Sequence, residues 1–285
     1  MVWFGSPHVP FEPTKEDLEA AGGHAYYAEM IGVDRSMGAL RAGLRKLGIA
    51  ENTMLWFNND NGAWKDEKRE PDTFGSNGIL RGRKGKIWEG GVRVPGLIEW
   101  PARIKKPFVS NVPVVTSDIY PTVVDLLNID ISDKTQPIDG ISILPLLDGK
   151  MATRPKGIGF WHPKGDDILS KTRVAWLDNR YKLYKRGEGK FELYDLGDDV
   201  SEETDIAAKH PEMVKRMRAD MEAWQQSVMG AGSMMSFNGT HMRPLRLSDR
   251  TSTGSGTKWN RTGGRLRRNG KGHRLSPRPS GLAPG

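Results

Sequence analysis

The stretch Met54-Leu55-Trp56-Phe57-Asn58-Asn59-Asp60-Asn61-Gly62, followed after a polar loop by Leu80-Arg81-Gly82-Arg83-Lys84-Gly85-Lys86-Ile87-Trp88-Glu89-Gly90-Gly91-Val92-Arg93-Val94-Pro95, decides how this chain is read. A short apolar run that stops on turn residues predicts a buried strand. In an open α/β sheet, ligands bind beyond the carboxyl ends of the strands, which is where Asp60 and Asn61 fall. The second segment sets Lys84 inside a glycine-rich bend, where backbone can approach an anion closely. Together they predict a hard-cation site beside an anion site.

Working outward, the elements predict an α/β chain. Tyr27, Met30, Val33, Met37, Leu40, Leu44 and Leu47 recur at three- and four-residue steps, an apolar stripe on a helix from about Ala25 to Leu47. Gly48 suits its end, and helix, turn and strand in that order make half of a βαβ unit. Residues 92–100 read as a further strand, and residues 117–127 as a short helix capped by Ser117. From Lys156 the pattern changes to short β-prone runs at 157–162, 172–177, 181–185 and 191–194, with turns at Asp178-Asn179 and Gly187-Glu188-Gly189. A helix from about Pro211 to Ser227 aligns Met213, Met217, Met221 and Trp224 on one face. Three regions are expected: a catalytic-type α/β domain over 1–150, a small antiparallel sheet plus helix over 151–230, and a disordered basic tail over 231–285.

Composition narrows the classes. The 285 residues carry a formal charge of +8, but from Phe237 onward there are eleven basic residues and one acidic residue. The rest is therefore at −2, and the basic balance gives no argument for specific nucleic-acid binding. No apolar run reaches membrane-spanning length, and Met1–Gly5 has no leader pattern. The absence of Cys excludes disulfides, thiolate metal sites and cysteine nucleophiles.

Each candidate has a plain local reading. Asp60-Asn61-Gly62 is good turn chemistry as well as a pair of oxygen donors for Ca²⁺ or Mg²⁺. Lys84 is either a solvated charge or a point-charge anchor for a sulfate or phosphate oxygen. His8 lies among Pro7, Pro10 and Pro13, a path that limits its freedom and suits it to donate to an anion or act as general acid. His162 reads as a packing residue and His24 as a helix-start residue. The aromatics Trp161, Trp176, Tyr181, Tyr184, Phe191 and Tyr194 read as sheet packing rather than a stacking surface.

Taken in order, the motifs resemble a known family. Pro7-His8-x-Pro10, Val33-Asp34-Arg35-Ser36, Asp60-Asn61-Gly62, Leu80-Arg81-Gly82-x-Lys84-Gly85-x-x-Trp88-Glu89-Gly90-Gly91-Val92-Arg93-Val94-Pro95, Trp100-Pro101, Asp118-x-x-Pro121-Thr122, Asp139-Gly140 and Glu192-Leu193-Tyr194-Asp195-Leu196 are similar to the carboxyl-terminal half of a type I sulfatase. The resemblance implies a partial alkaline-phosphatase-like sheet sandwich with a small α+β subdomain. It implies hydrolysis of sulfate esters on a small molecule or glycan, with one divalent cation, usually Ca²⁺. It assigns Asp60 and Asn61 as metal ligands, and Lys84 and His8 as catalytic and substrate-binding residues. Intact relatives are usually exported, periplasmic or lysosomal.

The family's nucleophile, a formylglycine made from Cys or Ser in Cys/Ser-x-Pro-x-Arg, has no match in this sequence, nor do the paired aspartates that precede it. The chain is therefore expected to be inactive alone, with a separate amino-terminal fragment as the partner that would complete it. The other readings are a phosphoester hydrolase of the same superfamily, for which the Lys84 loop is a poor fit, and a non-catalytic fragment with a basic tail.

Overall fold

The computed structural model describes residues 1–232 except 65–74, 132–136, 163–172 and residue 188. The tail expected from residue 231 lies almost wholly outside the described residues. Helix α1 (Lys15–Ala20) is capped by the Thr14 hydroxyl, which accepts the Asp17 amide at 3.1 Å. The buried Asp17 carboxylate receives the Arg35 guanidinium and so ties α1 to α2 (Ala25–Lys46). The stripe on α2 is incompletely covered: Tyr27 is 43% and Met30 46% exposed, Val33, Met37, Leu40 and Leu44 are half-buried, and the only buried residue of the helix is Ala28. Spacing places residues on one face but does not supply what covers it.

Strand β1 (Leu55–Asn58) is half-buried rather than buried. It pairs antiparallel with β2 (Gly96–Glu99), with Leu55 opposite Glu99 and Asn58 opposite Gly96. The connection between them is thus not a parallel crossover. It holds the lysine loop, which runs into the one-turn helix α3 (Glu89–Val92), so that the strand expected from residue 92 begins only at Gly96. Arg41 of α2 reaches Glu99 with its Nε at 2.5 Å, joining helix and sheet at the surface.

Beneath β1 and β2 lies an apolar cluster of Trp100, Ile143, Leu144, Leu146 and Leu147, with Met54, Trp56, Ile98 and Leu126 against it. Helix α4 (Ile119–Leu126) follows a 3₁₀ turn at Thr116–Asp118, and α5 (Leu144–Leu147) closes the cluster. Asp118, not Ser117, organises this start: its carboxylate accepts the amides of Val115 and Ile141 at 2.9 and 2.8 Å. It also takes a two-pronged hydrogen bond from Arg154 at 2.7 and 2.8 Å, and both side chains are buried.

Strands β3 (Ile158–His162), β4 (Arg173–Asp178), β5 (Tyr181–Arg186) and β6 (Lys190–Asp195) form an antiparallel meander in that order. Asn179, at φ 53°, makes the β4–β5 turn, a conformation that asparagine tolerates. Successive side chains of a strand point to opposite faces. One face, with Val174, Trp176, Leu183 and Leu193, packs on Met217 and Met221 of α6 (Pro211–Gly232). The other, with Ala175, Tyr184 and Tyr194, packs on Ile87 and Trp88 of the lysine loop. His162, read as a packing residue, is exposed at the end of β3.

Candidate active site

At the carboxyl end of β1 the chain turns through Asp60, which is exposed, and Asn61, which is half-buried. The Asn61 amide nitrogen donates to the Gly62 carbonyl at 3.0 Å, and among the described residues its Oδ1 accepts no hydrogen bond. Gly62 is buried, and its amide donates to the Gly91 carbonyl at 3.0 Å. A Cβ at Gly62 would overlap the Gly90 carbonyl, so no other residue allows this approach. The Ala63 carbonyl accepts the Lys84 amide at 3.1 Å. The turn that carries Asp60 and Asn61 is thereby joined to the lysine loop by backbone contacts.

Asn77 fixes the joint. Its Oδ1 accepts the Ala63 amide at 2.8 Å, and its Nδ2 donates to the carbonyls of Ala63 at 3.1 Å and Gly82 at 3.3 Å. Within the loop, Gly82 and Gly85 hold φ near +80°, and the Gly90 amide donates to Arg81 at 2.7 Å. A Cβ on Gly90 would stand 2.5 Å from the Gly82 oxygen, and one on Gly91 would overlap the Lys86 carbonyl. The glycines of this motif are spaces that neighbouring backbone occupies. Lys84 is half-buried, and among the described residues no carboxylate pairs with it. An ammonium so placed keeps its charge available to an anion.

The loop is held from below by the four-stranded sheet. Lys182 of β5 is fully buried, with its ammonium 2.9 Å from Glu89 Oε1 and 2.8 Å from Glu202 Oε1. Glu202 Oε2 accepts the Glu89 amide at 2.7 Å. Burial pushes the Glu202 carboxyl up, against the opposing pull of Lys182. Beside this cluster Trp88 stacks on Tyr184 with ring centroids 3.9 Å apart, and the Arg81 guanidinium lies 3.8 Å from the centroid of the same Trp88 ring. Arg81 also donates to the Glu202 carbonyl at 2.8 Å and to the Tyr194 hydroxyl at 3.3 Å. Burial, with the Glu192 carboxylate, pushes Tyr194 up to about 12.

His8 sits apart from this joint in its contacts. It is exposed, its amide donates to Gly5 at 3.1 Å, and its Nδ1 lies 2.8 Å from the Val9 carbonyl. A carbonyl can only accept, so Nδ1 carries the hydrogen and Nε2 is the atom left to exchange a proton. The structure joins the residues that follow Asp60 and Asn61, Gly62 and Ala63, to the lysine loop through backbone hydrogen bonds, and among the described residues no hydrogen bond links His8 to that joint. The residues that sequence reading missed are Asn77, Lys182 and Glu202, together with the anchoring role of Glu89. Asn77 lies in a polar loop with no pattern to mark it. Lys182 was findable, because strand alternation puts it on the same face as Tyr184.

The hollow of about 450 Å³ lined by residues 108–112, Leu146, Gly149, residues 151–153, Asn179 and Arg180 contains none of these groups. Among the described residues no three His, Asp or Glu side chains gather as a cation site, and no helix is long and apolar enough to cross a membrane.

Comparison with known proteins gives two family matches. Residues 1–129 match the sulfatase family, and residues 83–227 match the carboxyl-terminal region of N-sulphoglucosamine sulphohydrolase. The two overlap over residues 83–129, which include Lys84. The chain belongs to the sulfatase family. A sulfatase of Formosa agariphila is 36% identical over 192 residues, covering 62% of this chain and 34% of that protein. Human steryl-sulfatase is 34% identical over 172 residues, covering 55% of this chain and 29% of that protein. The solved structure of Ps i-CgsB in complex with k-i-k-neocarrahexaose matches with TM-score 0.66 and 27% identity, over 78% of this chain and 48% of that one. A sulfatase from Pseudoalteromonas, at 23% identity and TM-score 0.63, shares the fold. This sulfatase-family chain thus spans about a third of the curated relatives it matches and about half of the solved ones. Its α/β fold is the alkaline-phosphatase-like fold of those sulfatases.

Proposed function

We propose that this chain supplies the sulfate-receiving side of a sulfatase active site and takes part in hydrolysis of sulfate esters on a glycan or small molecule. The observation that supports the reading is the backbone joint of Gly62 to Gly91 and Ala63 to Lys84, which ties the turn carrying Asp60 and Asn61 to the loop carrying Lys84, an ammonium with no carboxylate partner among the described residues. Asp60 and the Oδ1 of Asn61 are donors of the hard-oxygen type that suits Ca²⁺ or Mg²⁺, and they form part of such a ligand set. A bound dication supplies charge to offset the sulfate oxygens as the ester bond breaks. Lys84 places an ammonium against one of those oxygens, and the Asn77 clamp holds the loop so that little reorganisation is needed. His8, with Nδ1–H given to Val9, presents Nε2 as the atom that would protonate or protect the leaving oxygen. No residue of this chain is assigned the nucleophile.

The test has two stages. Addition of CaCl₂ or MgCl₂ is expected to raise the unfolding temperature, and Asp60→Asn to abolish that rise. Turnover of an aryl sulfate is expected when the chain is combined with a polypeptide that carries the Cys-x-Pro-x-Arg signature of a relative. A cation response untouched by Asp60→Asn, or turnover untouched by Lys84→Ala, would sink the assignment.

A further inference from the structure

Arg83, next to Lys84, differs from Arg154, Arg103 and Arg180. Arg154 is paired with Asp118, Arg103 with Asp148, and Arg180 with Asp195. Arg83 is half-buried, its Nη1 is buried with no partner, and among the described residues no carboxylate pairs with it. Its position is not loose. The Arg83 carbonyl accepts the Lys86 amide at 3.0 Å, and the guanidinium lies 4.3 Å over the ring of Trp64. Trp64 follows Ala63, whose carbonyl holds the Lys84 amide, and it is 42% exposed.

Stacking uses the face of a guanidinium and leaves its in-plane N–H donors free, so an arginine held on a tryptophan is prepared for an oxyanion. The exposed remainder of the indole is a surface of the kind that packs on the apolar face of a sugar ring.

We propose that Arg83 and Trp64 form a subsite for a second anionic group, so that the substrate is a sugar bearing at least two such groups rather than a monosulfated apolar molecule. Lys84 takes the sulfate to be cleaved, Arg83 takes its neighbour, and Trp64 carries the ring between them. This deepens the sulfatase reading and rests on it.

The test compares two probes on the full chain by titration calorimetry in the presence of CaCl₂: N-acetylglucosamine 6-sulfate and D-glucosamine-2-N,6-O-disulfate. The disulfate is expected to bind about tenfold more tightly, a charge-assisted contact being worth that order. Arg83→Gln is expected to bring the disulfate to within about twofold of the monosulfate while leaving the monosulfate unchanged. Trp64→Ala is expected to weaken both, and Lys84→Gln to weaken both. Equal affinity of the two probes, or an equal loss for both in Arg83→Gln, overturns the subsite while leaving the Lys84 site intact. Binding of neither probe overturns the subsite together with the sulfatase reading. Circular dichroism of each variant separates lost contacts from lost fold.

Discussion

The ammonium of Lys182 and the carboxylate of Glu89 meet at 2.9 Å in a place where both side chains are buried, and the contact joins the middle of the four-stranded sheet to the end of the lysine loop. Glu202 completes the cluster from the segment after β6. Lys182→Met removes the cation between the two glutamates, which leaves Glu202 with none among the described residues and Glu89 with Arg93 alone, at 3.3 Å. The expected cost is about 3–5 kcal/mol, read as a lower denaturant midpoint. The triple variant with Glu89→Gln and Glu202→Gln should recover much of it. A midpoint unchanged in Lys182→Met would show that the cluster does not anchor the loop.

Gly62→Ala tests the backbone joint. The added Cβ would overlap the Gly90 carbonyl, so one segment must move. A loss of about 1–3 kcal/mol is expected, accompanied by loss of the thermal response to CaCl₂. Wild-type stability together with a wild-type calcium response would contradict the close approach.

Asn77→Ala removes an acceptor and two donated bonds from the Ala63–Gly82 joint. The expected destabilisation is about 1–3 kcal/mol. The local readout is hydrogen exchange: the amides of Ala63 and Lys84 should exchange faster, while those of β4 and β5 keep their protection. Uniform change across the chain would instead mean a global effect.

Arg154→Lys keeps the charge against Asp118 but not the planar fork that makes two bonds to it. The Asp118 carboxylate also holds the amides of Val115 and Ile141, so its misplacement loosens the start of α4. The variant should unfold at a lower temperature than wild type, and Arg154→Ala lower still. A lysine variant equal to wild type would mean that charge alone suffices.

Stability should depend on pH with opposite signs at two places. Arg103 holds the Asp148 carboxyl, and Arg180 the Asp195 carboxyl, below the ordinary 3.8. Their contribution is present above that value and is lost as pH falls through the lowered ones. Glu202 runs the other way: burial raises its carboxyl above 4.5, so its contribution is full below 4.5 and is lost as pH rises through the raised value. In unfolding temperature measured against pH, Asp195→Asn should flatten the acid limb and Glu202→Gln the limb above it. Superimposable profiles would refute both assignments.

Much of this was legible in the chain. The helix at Ala25–Lys46, the meander from Ile158 to Asp195 and the buried pair Met217 and Met221 followed from periodicity, because repeated spacing selects one face of an element. The local sequence around Asp60 and Lys84 was no better than a turn and a charged loop, and only the ordered set of motifs raised them to a candidate site. The antiparallel partner of β1 was not legible, since Leu55–Asn58 reads the same with any neighbour.

The sequence by itself determined which residue types stand at the candidate site and which glycines surround them, because residue type and spacing are local properties. Tertiary structure alone decided that Gly62 and Gly90 pack backbone to backbone and that Asn77 clamps the joint. It also decided that Lys182 and Glu202, from the far end of the chain, support the loop that presents Lys84. Those are contacts between segments far apart in sequence. No local pattern encodes them, and they exist only once the sheet offers its second face to the loop.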